Sequence, residues 1–182
     1  MALSVTDTDQ LTIRTATCDD APALAEFAER SFRDTFGCDN VASDMAQYVA
    51  HAFGDETQRA ELADSRRVVL LAEISSVIAG YAQLMNDSAP DDIVMERPVI
   101  EIERFYVAHE WHGRGIAQQL MACATEAAIR ADAATLWLAV WERNPRAMAF
   151  YRKSGFVDVG SRLFLLGSDR QTDRVMSRLL RS

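Results

Sequence analysis

Two adjoining segments restrict this chain more than any other stretch: Glu101-Ile-Glu-Arg-Phe-Tyr-Val107, and Trp111-His-Gly-Arg-Gly-Ile-Ala117 just after it. The first mixes β-branched and aromatic residues with period-two alternation, the pattern of a strand. That period places Glu101, Glu103, Phe105 and Val107 on one face, and Ile102, Arg104 and Tyr106 on the other. Ile116 to Arg130 is rich in Ala, Leu, Met and Gln without a breaker, which predicts a helix. The first N–H groups of a helix lack intrahelical partners, and the helix dipole adds partial positive charge at the same end. Gly113 and Gly115 carry no Cβ, so an anion can approach that end closely. The turn reads as a pyrophosphate cradle.

Competing phosphate motifs fail on residues. A P-loop needs Gly-Lys-Ser/Thr, which the sequence lacks. A dinucleotide fingerprint needs a third Gly or Ala where Gln118 stands, and it opens a domain instead of lying past the middle of a chain. A helix start with two turn glycines and no ligand is the remaining alternative.

Length and charge narrow the class. The 182 residues, 49% of them hydrophobic, suffice for one core, so a single domain over 1–182 is expected. The net charge of −8 argues against a nucleic-acid partner, which would meet a basic face, and is compatible with a cationic substrate or simply with solubility. No stretch is long and apolar enough to span a bilayer, and the first residues lack a basic region followed by an apolar run, so no membrane partner is expected. Cys18, Cys38 and Cys123 are an odd set without paired spacing, which fits a reduced, cytoplasmic setting.

Leu11 to Thr17 alternates as a first strand, and Asp19 or Asp20 offers an N-cap to a helix running to about Phe36. After a break at Gly37–Asn40, helices are expected from about Ser43 to Phe53 and from Asp55 to Ala63; His51 is a surface or packing residue of the first of these. Arg67–Ile74 and Val77–Leu84 read as a hairpin around Ser75-Ser76, then a loop from Asn86 to Asp92, with the central strand resuming near Pro98. Thr135–Trp141 is apolar on both faces, as for an inner strand. Asn144 followed by Pro145 is a helix start, and Gly155 its C′ stop. Phe156–Leu166 and Arg174–Leu180 supply the last strands.

His109 and His112 are three apart before a glycine turn, not four apart on a helix face, so no metal site is expected. Asn144 and Tyr151 are two helical turns apart and share a face. By itself Tyr151 reads equally as a core aromatic with its hydroxyl at an edge.

His112-Gly-Arg-Gly-Ile-Ala117 resembles the acetyl-CoA loop of the GNAT superfamily of N-acetyltransferases, Gln/Arg-x-x-Gly-x-Gly/Ala, with His112 departing from the usual first residue. Asn144, Ala147, Phe150, Tyr151, Gly155 and Phe156 match in order the superfamily's second signature, Asn-x-x-Ala-x-x-Phe-Tyr-x-x-x-Gly-Phe. Longer blocks resemble the PaiA-type spermidine/spermine N-acetyltransferases: Phe32-Arg-Asp-Thr-Phe-Gly37 with Asn40, Glu101 to Val107, Val140-Trp-Glu-Arg-Asn144 and Gln171-Thr-Asp173. The departure is Arg162, where that group tends to have His.

The resemblance implies an α/β GNAT fold, a mixed and mostly antiparallel sheet of about seven strands flanked by helices. It implies acetyl-CoA as cosubstrate, no metal, and direct attack of a small-molecule primary amine, such as a polyamine, on the thioester in a ternary complex. Phe105, Tyr106 and Val107 would run beside the pantetheine, with the Val107 N–H facing the oxyanion. His112, Gly113, Arg114, Gly115, Ile116 and Ala117 would form the pyrophosphate loop, and Asn144 would hydrogen-bond the pantetheine amide region. Tyr151 would protonate the leaving thiolate, and Glu101 or Glu103 would take the amine proton, the alternative for both being a solvated or salt-bridged strand face. Asp34, Asp39 and Asp44 would complete a polyamine site or form an ordinary charged helix face. Arg114 and Lys153 could reach phosphate. An exposed strand edge would suit a homodimer. Rival readings are another amine acceptor (a protein N-terminus, a lysine, an amino-sugar drug) and a non-catalytic acetyl-CoA sensor.

Overall fold

Strands Leu11–Thr15 (β1), Arg67–Ile74 (β2), Val77–Asn86 (β3), Val99–Val107 (β4), Thr135–Trp141 (β5), Val157–Leu166 (β6) and Asp169–Leu179 (β7) form one seven-stranded sheet in the order β1-β2-β3-β4-β5-β7-β6. Helices Ala21–Phe36 (α1), Ala42–Ala52 (α2), Asp55–Ala63 (α3), Ile116–Arg130 (α4) and Pro145–Lys153 (α5) flank it. The computed structural model describes residues 10–37, 40–88, 90, 93, 95–166 and 169–180. All neighbouring strands are antiparallel except β4 and β5. That parallel pair needs a crossover connection, which α4 provides.

Local chemistry accounts for the turns. Ser75 and Ser76, at φ 51° and 63°, take the left-handed conformation that a tight β2–β3 hairpin requires. One layer of core joins Ile100, Ile102, Leu136 and Leu138 of the sheet to Leu120 and Ala124 of α4. The other joins Leu71 and Tyr81 to Leu24, Phe27 and Phe32 of α1 and to Met45 and Val49 of α2.

Several boundaries differ from the sequence expectation. β1 stops at Thr15, because the backbone N–H of Thr17 donates to the Asp20 carboxylate at 2.7 Å and turns the chain into a short 3-10 segment, Cys18–Asp20. α2 is Ala42–Ala52 instead of Ser43–Phe53, and β3 runs on to Asn86. The expected loop from Asn86 falls partly on Ala89, Asp91 and Asp92, outside the described residues. β6 begins at Val157, after Phe156. The largest difference is β7, which starts at Asp169 and not at Arg174. Gln171 and Asp173 point inward and are each 8% exposed, so polar residues occupy positions where alternation analysis looks for apolar ones.

Candidate active site

β4 and β5 pair from Val99/Thr135 to Ile102/Leu138 and no further, although the strands continue to Val107 and Trp141. Beyond that fork β4 pairs with β3, and β5 with β7, leaving a wedge between them. The Ala108 N–H donates to Ala79 O at 2.9 Å, and bond direction alternates along an antiparallel ladder. Tyr106 therefore bonds toward β3, while the N–H and C=O groups of Phe105 and Val107 face the wedge. Val107 O accepts from His112 Nε2 at 2.8 Å; among the described residues nothing accepts from the Val107 N–H.

The expected face assignment on β4 is corrected by the register. Gln83 stands opposite Arg104 and Leu84 opposite Ile102, so Glu103 is an extra residue looped out as a β-bulge. A bulge inverts the alternation after it. Phe105 and Val107 pack with Ile100 and Ile102, while Tyr106 joins the opposite core beside Tyr81. Glu101 thus does not share a face with Phe105 and Val107.

The two candidate bases remain on one side of the sheet but take different partners. Glu103 accepts from Arg67 Nε at 3.0 Å and from Gln83 Nε2 at 3.0 Å, so its carboxylate is held toward β2 and β3. Glu101 is 6% exposed, accepts from Ser88 Oγ at 2.5 Å, and meets Arg162 Nη1 at 3.3 Å. Burial pushes the Glu101 carboxyl above its ordinary value, outweighing the Ser88 hydrogen bond and the nearby Arg162 charge.

At the start of α4, Gly113 and Gly115 take φ 79° and 81°, and a Cβ on either would meet nothing within 4 Å. These glycines serve backbone conformation and an open approach, not close packing. α4 has no side-chain cap, and among the described residues the N–H groups from Gly113 to Gln118 find no acceptor. Ile116 is buried under the helix, with Ala117 beside it in its first turn. Arg114 lies over the Trp111 ring, 4.7 Å from its centroid. His112, whose side chain seals the end of β4, is held below its ordinary pKa chiefly by burial. This set of donors and small residues fits a pyrophosphate.

α5 places Asn144 and Tyr151 at its two ends. Asn144 Oδ1 accepts from the Ala147 N–H at 3.1 Å as the N-cap, which leaves the side-chain NH₂ as a donor. Gly155 at φ 89° ends the helix, and the Phe156 N–H closes on Tyr151 O at 3.0 Å. Tyr151 is 8% exposed; its ring meets Phe105, Phe150 and Phe156 at 6.3, 5.5 and 5.9 Å. Among the described residues its hydroxyl has no hydrogen-bond partner, and burial pushes its pKa up. Lys153, in the last turn of α5, is exposed.

The opposite face of the wedge gathers residues scattered along the chain. Phe36 of α1 meets Trp141 edge-on at 5.8 Å, Tyr48 of α2 meets Phe164 of β6 at 5.8 Å, and Gln171 Nε2 donates to Asn40 Oδ1 at 2.6 Å. Arg162 crosses from β6 over Trp137, 5.4 Å from its centroid, to reach Glu101. Asp173, opposite both Trp141 and Arg162 in the strand register, is a buried carboxylate that burial pushes above its ordinary value. Asp173 is an acidic residue of this face beyond those expected from the sequence, and the inward spacing of Gln171, Asp173 and Val175 is the signal that marks it. Of the acidic residues expected there, Asp34 is exposed on α1 and Asp39 lies outside the described residues, as does Cys38. Among the described residues no group of three His, Cys, Asp or Glu could hold a metal ion, and no helix is long and apolar enough to cross a membrane.

The family profile described as "Acetyltransferase (GNAT) family" matches residues 23–156. An uncharacterized N-acetyltransferase of the pepI 3' region in Lactobacillus delbrueckii subsp. lactis is 32% identical over 161 residues, spanning 88% of this chain and 92% of that protein. The fold superposes on the PaiA N-acetyltransferase from Thermoplasma acidophilum, solved in complex with coenzyme A, with a TM-score of 0.77 at 20% identity over 93% of this chain and 99% of that one. A spermidine N-acetyltransferase SpeG chimera from Vibrio cholerae and hSSAT superposes with a TM-score of 0.65 at 20% identity, over 94% of this chain and 96% of that one. The profile covers both the glycine turn at the start of α4 and the segment from Asn144 through α5 to Phe156, and the chain belongs to the GNAT family of acetyltransferases.

Proposed function

We propose that this acetyltransferase moves the acetyl group of acetyl-CoA to a primary amine of a polyamine such as spermidine or spermine, by direct attack in a ternary complex. The observation that carries this reading is the edge of β4 beyond Ile102, with a Val107 N–H that is free among the described residues, lying between the α4 N-terminus and Tyr151. An extended pantetheine arm can hydrogen-bond that edge as a neighbouring strand would. Gly113, Arg114, Gly115, Ile116 and Ala117 hold the pyrophosphate, His112 fixes the loop to β4, and the Asn144 NH₂ meets the arm's amide.

Each proton has a carrier. An alkylammonium has a pKa near ~10 and must lose a proton before it attacks. Glu101, buried and so more basic than an ordinary glutamate, takes it directly or through a water. Glu103 is the weaker candidate, because Arg67 and Gln83 already occupy its oxygens. As the amine nitrogen bonds to the thioester carbon, the Val107 N–H stabilises the negative oxygen. The carbon–sulfur bond breaks, Tyr151, protonated at neutral pH, gives its proton to the sulfur, and the second proton shed by the new amide nitrogen returns through water to the tyrosinate. Polyamine specificity draws support from the net charge of −8, from the buried carboxylates Glu101 and Asp173, and from the fold likeness to proteins described as PaiA and spermidine N-acetyltransferases.

The test is free-CoA release with spermidine, spermine, a lysine peptide and an aminoglycoside offered in parallel. Selective turnover of the polyamines supports the proposal. Equal turnover of the lysine peptide or the aminoglycoside overturns the polyamine assignment. Tight acetyl-CoA binding without turnover of any amine overturns the reaction.

A further inference from the structure

Asp173 stands apart from the other carboxylates of the described residues near the wedge. It is more than nine-tenths buried, at 8% exposed, and among the described residues no hydrogen bond reaches its carboxylate. Glu101 has Ser88 and Arg162, and Glu103 has Arg67 and Gln83. Charge-bearing groups that influence Asp173 are Arg162, which favours its ionised form, and Glu142, which opposes it. Arg162 is committed elsewhere, since its guanidinium lies over Trp137 and its Nη1 is aimed at Glu101. One guanidinium cannot neutralise two buried carboxylates, so this face has room for one more positive charge.

Position says which charge. Asp173 is opposite Trp141 in the β5–β7 register, and Trp141 belongs to the part of β5 that borders the wedge. Neighbouring strands are about 5 Å apart. A cation at Asp173 therefore sits a short alkyl spacer away from a nitrogen placed in the wedge. The walls are aromatic, with Trp141 against Phe36 and Trp137 nearby, and aromatic faces favour an ammonium.

We infer that Asp173 is the specificity anchor of the acceptor side, its carboxylate taking the second ammonium of a diamine or polyamine whose first nitrogen lies in the wedge. The inference rests on the amine-acetyltransferase reading and adds the group that measures the distance between two charges. Arg162 lies between the two carboxylates in its effect, favouring the ionised form of each, while its one close ion pair is with Glu101.

The test is calorimetric titration of diaminobutane and of n-butylamine into CoA-saturated protein, wild type and Asp173→Asn. The wild type is expected to bind diaminobutane about tenfold or more tightly than butylamine, the scale of one charge-assisted hydrogen bond. Asp173→Asn is expected to erase that preference and leave CoA affinity unchanged. A wild type without the preference, or a folded Asp173→Asn that keeps it, overturns the inference. Arg162→Gln reads the same carboxylate from the other side, and stays informative if Asp173→Asn does not fold. Removing the competing cation is expected to strengthen diaminobutane binding several-fold, and unchanged or weaker binding overturns the inference. The readout is binding, so failure of acetyl transfer in the CoA-release assay would count separately, against the proposed reaction.

Discussion

Phe105 and Glu101 lie an even number of residues apart on β4 yet face opposite sides of the sheet, because Glu103 is looped out between them. The consequence is a division of labour across one strand. Phe105 and Val107 turn toward α4 and α5, where Phe150 and Tyr151 meet the Phe105 ring at 5.6 and 6.3 Å. Glu101 turns toward Ser88 and Arg162, on the face that α1 and α2 help to cover. A donor arm on one side and an amine on the other could then meet at the fork where β4 and β5 part.

The different partners of the two glutamates set the first prediction. Glu101→Gln is expected to lower kcat by about 10²–10⁴, the usual range for a lost general base. Glu103→Gln is expected to change kcat by roughly fivefold or less, since it weakens one partly exposed ion pair. The carboxyl of Glu101 is raised above its ordinary 4.5, so its basic form appears only as pH climbs through that higher value. The acid limb of kcat should therefore lie above pH 4.5 and vanish in Glu101→Gln. Pre-steady-state acetyl transfer across pH measures both effects, and equal losses in the two variants would contradict the assignment.

Tyr151→Phe removes a hydroxyl with no partner among the described residues and keeps the ring contacts to Phe105, Phe150 and Phe156. Fold and acetyl-CoA affinity should be retained, while kcat falls on the order of 10²-fold through loss of the thiolate's proton donor. A donor with a more acidic thiol should show a smaller loss. An unchanged kcat would return Tyr151 to the role of a core aromatic.

How much of this was legible in the sequence depended on how local the cause was. Gly113, Gly115 and Gly155 all take positive φ, and Asn144 caps α5 through its own side chain; each feature is decided within a few residues and shows in the order of letters. The bulge is decided by a partner strand. Glu103 continues the alternation perfectly in the sequence, and only the step from Gln83 to Leu84 across the ladder, with Arg67 and Gln83 waiting for its carboxylate, makes it the extra residue. Gln171 and Asp173 escaped for a related reason. Their burial comes from Asn40, Trp141 and Arg162, distant in the chain, and polar letters at inward positions of β7 resemble a loop.

Gly113→Ala and Gly115→Ala test the cradle. Neither new Cβ would clash within the chain, so the stability cost is the left-handed backbone alone, about 1–2 kcal/mol. The same Cβ stands where an anion must approach, so acetyl-CoA affinity should fall by about tenfold, roughly the worth of one charge-assisted hydrogen bond. Thermal unfolding and calorimetric titration read the two effects separately. Loss of stability with unchanged affinity would place the pyrophosphate elsewhere.

His112 ties the loop to β4, and its titration should show in stability. The Val107 carbonyl can only accept, so Nε2 carries the proton; Nδ1 is buried and without a partner. Burial disfavours the imidazolium and outweighs the Val107 hydrogen bond, holding the folded pKa below the ordinary 6.5. For a base depressed on folding, the unfolded chain binds the extra proton first. The stabilisation from neutral His112 is therefore complete above pH 6.5 and is lost as pH falls through the lower folded value. His112→Ala should melt below the wild type in neutral solution, with the gap narrowing on acidification. It should also lower kcat more than acetyl-CoA affinity, because the peptide after Val107 loses its clamp while the glycine turn keeps its own geometry. A gap that widens toward acid pH would mean that His112 is charged in the folded protein, and that its contact with Val107 serves an ion pair instead.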